Sequence, residues 1–234
     1  MGGVDIKKCI ALFAQSFNFR GGVGSFVAHL IKVFRYLKYR VFMISYSDLD
    51  ESLYRKFFAI TLENTYKLRI SCPIRSFFNG KSVYGGLLVK ILDLKYAGSL
   101  FDQLDELGII SFNICGEWLF SPTHFVYIHN PTPLIPRQRI NMREIWRYPY
   151  RQFLSKLLRF YERSIIFVNS KYTSSILKSY TGLRSYVLYP PIEVHAYRNA
   201  LHGPHDKPWS VTVARFDRVK NLELVVEVAK RVKD

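Results

Sequence analysis

Arg215 and Lys220 lie in the stretch from Trp209 to Lys230, WSVTVARFDRVKNLELVVEVAK, where an apolar strand-like run turns through polar residues into an amphipathic helix. A βα turn at the carboxyl end of a strand gathers free backbone N–H groups and the positive end of a helix dipole. Two added cations make such a turn attractive to a diphosphate. A solvated basic surface turn has the same composition. Gly21 and Gly22, within FRGGVG, form a second candidate. Glycines before a helix let a ligand come close to the backbone, or they simply make a tight turn. GGVG has neither the GxGxxG spacing nor the P-loop lysine, so it does not define a nucleotide site by itself. The third candidate is His129, which closes the apolar run FVYIH ahead of Asn130, Pro131 and Pro133. A histidine at the carboxyl end of a strand in an open α/β sheet stands where ligands bind; the alternative is a structural hydrogen-bonding residue.

These candidates need a sheet to carry them, and the pattern supplies one. Lys8 to Ala14 is a short apolar run followed by the polar turn Gln15 to Gly24. From Ser25 to Lys38, Phe26, Val27, Leu30, Ile31, Phe34 and Leu37 fall on one helical face. Arg40 to Ser45 then reads as a second strand. Such a βαβ opening implies a parallel sheet with crossover helices. Further strands are expected near Phe57 to Thr61, Tyr66 to Ser71, Ile109 to Cys115, Phe125 to His129, Ser164 to Val168 and Tyr186 to Tyr189. Helices are expected over Val83 to Leu107, interrupted near Gly98, and over Tyr172 to Tyr180. The polar stretch between His195 and Pro208 reads as a linker. The division is a Rossmann-like α/β domain over 1–195, a linker over 196–208, and the first βα unit of a second Rossmann-like domain over 209–234.

The formal net charge of +16, from 34 Lys and Arg against 18 Asp and Glu, points to an anionic partner. Two basic segments also hold aromatic residues. One loop places Arg75 and Lys81 around Phe77 and Phe78, and Arg143 and Arg147 flank Trp146 in the most basic part of the chain. Cations interleaved with rings suit an anionic bilayer surface or single-stranded nucleic acid, and burial of the rings in the core is the plainer account. None of the usual nucleic-acid-binding motifs is present. Cys9, Cys72 and Cys115 are scattered through apolar segments, which suggests buried, reduced thiols in an intracellular protein rather than disulfides or a zinc site. No apolar run reaches the roughly 18 residues that a membrane span needs, so membrane contact is expected to be peripheral.

Taken together, FRGGVG, YIHNP, FVNSKYTSSILKSYTGLRSYVLYPPIEV and ARFDRVKNLEL resemble, in order and spacing, the retaining GT-B glycosyltransferases of family 4. YIHNP and VLYPP are most similar to the α-1,2-mannosyltransferases that extend dolichol-linked oligosaccharides from GDP-mannose on the cytosolic membrane face. The resemblance implies two Rossmann-like domains around a cleft, the first (1–195) mostly holding the acceptor and the second mostly holding the nucleotide-sugar donor, and transfer of mannose or glucose from a nucleotide-sugar to a lipid-linked or membrane-surface glycan. Gly21 and Gly22 would line the cleft near the donor, His129 would sit beside the reacting sugar, and Arg215 with Lys220 would neutralise the leaving diphosphate. Those cations would take the part a divalent ion plays elsewhere, so no cofactor and no metal are expected. Arg75, Lys81, Arg143 and Arg147 are candidate acceptor or membrane contacts.

The sequence departs from the family at its end. The family's donor domain continues much further and holds the donor with two glutamates spaced E-x7-E, which have no counterpart before Asp234. Glu223 and Glu227 belong to the first helix. A truncated donor side, and low activity of the chain alone, are therefore expected. The expected location is cytoplasmic, on the cytosolic membrane face. The competing reading is a non-catalytic basic α/β module that binds anionic membrane or nucleic acid.

Overall fold

The computed structural model describes residues 8–70, 97–117, 121–131, 158–192, 194, 211–214, 216–217 and 220–232. By its internal contacts the chain divides into a unit of residues 1–191 and a smaller one of residues 192–234.

The larger unit is built on seven parallel strands in the order β3-β2-β1-β4-β5-β6-β7. They are β1 (Cys9–Phe13), β2 (Arg40–Ser45), β3 (Thr65–Arg69), β4 (Ile110–Asn113), β5 (Phe125–Ile128), β6 (Ile165–Val168) and β7 (Tyr186–Val187). Between them run α1 (Gly22–Tyr36), α2 (Glu51–Phe58), a helical segment at 97–106, a 3-10 turn over Arg159–Arg163 and α3 (Lys171–Thr181). This is the Rossmann-like α/β sheet expected from the alternation of strands and helices.

The central strands are covered on both faces, which explains why they read as continuous apolar runs, whereas the edge strand β3 is mostly exposed. Every residue of β1 is buried. Ile10 and Leu12 pack with Val27 and Ile31 of α1 and Tyr54 of α2. Cys9, Ala11 and Phe13 point the other way, into a second cluster with Ala97, Phe101 and Leu104 of the 97–106 helix. A third cluster joins Val126 and Ile128 of β5 to Leu158, Tyr161 and Leu177. Leu158 and Tyr161, at the end of the most basic part of the chain, thus serve the core.

One sequence expectation is corrected here. Residues 57 and 58 end a helix rather than begin a strand. Asp50 caps α2 by accepting a hydrogen bond from the Ser52 N–H at 3.0 Å, Leu53 and Tyr54 bury one face, and Ala59 ends it in the left-handed region. Of the helix expected over Val83 to Leu107, residues 97–106 are helical, and residues 83–96 lie outside the described residues.

In the smaller unit, α4 (Leu222–Arg231) forms as expected, but residues 211–214 have no strand partner among the described residues. A β-run is hydrogen-bonded only when a neighbour supplies the other half of the ladder.

Candidate functional site

The order of strands reverses at β1, with β2 and β3 on one side and β4 to β7 on the other. The crevice outside the carboxyl ends of β1 and β4 is therefore the place where a sheet of this kind binds ligands. The glycine turn leaves β1 at that edge. Its loop is held by the side chain of Asn18, whose Nδ2 donates to the Asp48 carbonyl at 2.9 Å and whose Oδ1 accepts from the Asp50 N–H at 2.8 Å. The Tyr54 hydroxyl adds a bond to the Phe17 carbonyl at 3.0 Å.

The three glycines of the turn separate into two kinds. A Cβ on Gly24 would meet the Phe19 carbonyl oxygen and the Phe58 ring, whose Cζ would lie 2.6 Å away, so packing alone requires glycine there. A Cβ on Gly21 or Gly22 would meet nothing within 4 Å, and neither residue has a positive φ. Packing and backbone strain thus leave these two unexplained, while open space beside the start of α1 is what a close-approaching ligand needs. Gly21 is the N-cap of α1, no side chain caps that end, and its first turn holds no acidic residue.

His129 directly follows β5 and stands beside α1. Its ring lies edge-on to Phe26, one helical turn beyond Gly22, with centroids 5.7 Å apart. The backbone of His129 is fixed on both sides: its N–H donates to the Glu117 carboxylate at 3.2 Å, and its carbonyl accepts from Asn169 Nδ2 at 2.7 Å. Burial pushes the ring's pKa down to about 4, against a smaller opposing effect from a hydrogen bond to the Ile114 backbone. Nε2 is buried without a hydrogen-bond partner, so the Ile114 bond belongs to Nδ1. At neutral pH the ring is then uncharged, Nδ1 carries its proton, and Nε2 presents a lone pair. Such a ring accepts a hydrogen bond from a hydroxyl and does not act as a cation.

Glu117 is the site residue that sequence reasoning missed. It is only 3% exposed, at the carboxyl edge beyond β4, and sits among Cys115, Tyr127 and Tyr161. Its negative charge adds to burial in holding all three of those groups in their protonated forms. Asn113 and Tyr161 complete the polar layer: the Asn113 Oδ1 accepts from the Cys115 N–H at 3.0 Å, and the Tyr161 hydroxyl donates to the Gly116 carbonyl at 2.9 Å.

The residues of FVNSKYT and VLY have structural work at the same edge. Ser170 caps α3 by accepting from the Thr173 N–H at 3.1 Å, and the Thr173 hydroxyl donates to Asn169 Oδ1 at 2.6 Å. Asn169, oriented in this way, reaches His129. The Tyr127 hydroxyl donates to the Leu188 carbonyl at 2.8 Å, which ties β5 to the chain leaving β7.

Of the residues singled out from sequence, Gly21, Gly22 and His129 lie along one edge of the sheet. Lys220 is exposed in the smaller unit, just ahead of α4, with its backbone N–H on the Asp217 carbonyl at 2.8 Å. Arg215, Arg75, Lys81, Arg143 and Arg147 lie outside the described residues. Cys9 and Cys115 are buried, as expected, and Cys72 lies outside the described residues. Among the described residues no cluster of His, Cys, Asp and Glu is arranged to hold a metal, and no helix is long and apolar enough to cross a membrane.

No protein-family model and no curated protein matches the sequence. Among solved structures, the chain is similar to a glycosyltransferase from Rickettsia africae ESF-5, with a TM-score of 0.46 and 10% identity over 97% of this chain. The chain spans about half, 50%, of the length of that protein.

Proposed function

We propose that the protein is a retaining glycosyltransferase that moves a hexose, mannose or glucose, from a nucleotide-sugar to a lipid-linked or membrane-surface glycan. The observation that carries this reading is the meeting of Phe26 and His129, which sets an uncharged histidine beside the uncapped, unobstructed start of α1. Breaking a sugar–phosphate bond leaves negative charge on the diphosphate and oxocarbenium character on the sugar. A helix N-terminus free of acidic residues favours the first. The uncharged ring of His129 adds no positive charge next to the second. Arg215 and Lys220 would complete the clamp on the diphosphate. A fixed donor of this kind is worth roughly 3 kcal/mol of transition-state stabilisation.

The test is transfer of radiolabelled hexose from GDP-mannose and UDP-glucose to lipid-linked oligosaccharide. It is run with this chain and with the chain extended by a nucleotide-sugar-binding domain. Label in the lipid fraction supports the proposal. A folded extended protein that transfers nothing from either donor refutes it.

The net charge of +16 favours a second reading, a non-catalytic module that binds an anionic membrane or nucleic acid. Sedimentation with liposomes of neutral and anionic lipid, beside a salt-dependent oligonucleotide titration, decides between the two partners. Binding to oligonucleotide and not to liposomes removes the membrane.

A further inference from the structure

Asn169 directly follows β6 as His129 directly follows β5, and the two strands run parallel with Ile128 beside Val168. The two residues therefore leave the carboxyl edge of the sheet side by side. The Asn169 carboxamide bridges them, its Nδ2 donating to the His129 carbonyl at 2.7 Å, the short end of the range for an amide donor.

A carbonyl can only accept, so the NH₂ end of the carboxamide must face His129 and Oδ1 must find donors on the other side. The first turn of α3 supplies them. The Thr173 hydroxyl donates to Oδ1 at 2.6 Å, and the Ser170 hydroxyl lies 3.2 Å from the same oxygen. Thr173 is only 4% exposed, so this anchor is part of the packed body of the domain. The helix does not need Asn169 as its cap, because Ser170 already accepts from the Thr173 N–H at 3.1 Å. What Asn169 adds is the link to His129. With the His129 N–H on the Glu117 carboxylate, the peptide groups on both sides of the histidine are tied, one beyond β4 and one beyond β6. The Cα between them is fixed, and the imidazole is thereby held against Phe26 and Tyr127, at centroid distances of 5.7 and 4.6 Å.

We infer that Asn169 is a positioning residue, oriented by Thr173, which through the His129 carbonyl holds the imidazole beside the start of α1. Asn169 makes and breaks no bond itself. The step from the position of the ring to turnover rests on the transferase reading; the hold on the ring does not.

The first test is NMR of the whole chain, with the imidazole C–H resonances of His129 assigned by their loss in His129→Asn. In the wild type they carry the ring-current shifts of Phe26 and Tyr127. Asn169→Asp keeps the size of the side chain but sets an oxygen against the His129 carbonyl, and Asn169→Ala removes the bridge. Both should move the resonances toward those of an exposed histidine. Thr173→Val, which removes the donor to Oδ1 at nearly constant shape, should move them in the same direction, and Thr173→Ser should restore them. Thermal melts establish which variants are folded, and the Thr173 pair carries the comparison even where Asn169→Asp does not fold.

In the chain extended by a nucleotide-sugar-binding domain, Thr173→Val and Asn169→Ala should lower kcat about tenfold with KM for the donor changed less than about twofold, and Thr173→Ser should recover the rate. Resonances unmoved in folded Asn169→Ala and Thr173→Val overturn the inference, as does a Thr173→Ser that behaves like Thr173→Val. Moved resonances beside a wild type that transfers nothing support the hold of Asn169 on His129 and count against the transferase reading. Moved resonances with an unchanged kcat overturn the positioning role.

Discussion

Phe26 and His129 stand edge to face at right angles, their ring centroids 5.7 Å apart, and so join the first turns of α1 to the end of β5. Phe26 is almost wholly buried, and the contact is part of the apolar enclosure that keeps His129 uncharged. The helix start and the histidine are thereby held as one rigid piece. That piece is the centre of the proposed site.

The pH dependence of stability follows from this burial. The His129 ring has its pKa at about 4 in the folded protein against the ordinary 6.5. Between those values the unfolded chain binds more protons, so folding stability falls as the pH drops through this window, and above 6.5 the group contributes nothing. The loss amounts to about 3 kcal/mol at most. Urea melts at a series of pH values should show this decline in the wild type and its disappearance in His129→Asn. A resonance assigned to His129 that titrates near 6.5 in the folded protein contradicts the assignment.

The glycine turn yields a paired prediction. Gly24→Ala forces a methyl group against the Phe19 carbonyl and the Phe58 ring and should cost about 1 to 3 kcal/mol. Gly22→Ala meets open space at the first residue of α1, so stability should be unchanged or rise by up to about 1 kcal/mol. Nucleotide-sugar affinity, measured by calorimetry on the chain extended by a donor domain, should nevertheless fall in the Gly22 variant. Equal affinity in wild type and Gly22→Ala would return Gly22 to an ordinary turn.

Glu117 supplies a buried acceptor to the His129 backbone. Glu117→Ala leaves that N–H without its carboxylate and should cost about 1 to 3 kcal/mol. Glu117→Gln keeps an oxygen in place and should recover most of the loss, as read from chemical denaturation. If the two variants are equally unstable, the charge of Glu117 matters and its role as an acceptor does not.

Lys220 is exposed in the smaller unit. Lys220→Ala should leave the melting temperature within a degree or so of wild type, since surface substitutions usually fall within about 0.5 kcal/mol. In the chain extended by a donor domain it should slow transfer by a hundredfold or more, the loss expected for one donor to the leaving group. Unchanged kinetics remove it from the clamp.

The parts of the fold that were legible in the sequence are those where burial on both faces produces an unbroken apolar run. Arg40 to Ser45 was read to the residue, and β1, β4, β5 and β6 to within one or two. The error at Phe57 arose because two adjacent aromatics look like a strand, whereas the signal for α2 lay in the Asp50 cap and in the spacing of Leu53 and Tyr54. His129 was legible because a polar residue ends an apolar run. Glu117 was not, since a single acidic residue after a strand has no periodicity, and Tyr127 and Tyr161, on which its charge acts, are brought to it only by the fold.

The most direct test of the central claim is hexose transfer by the chain extended with a nucleotide-sugar-binding domain, in wild-type and His129→Ala forms, with folding of both confirmed by circular dichroism. The account predicts label from GDP-mannose or UDP-glucose in the lipid-linked product for the wild type, and a loss of roughly a hundredfold or more in the variant. Equal transfer by the two proteins, or none by a folded wild type, would contradict it.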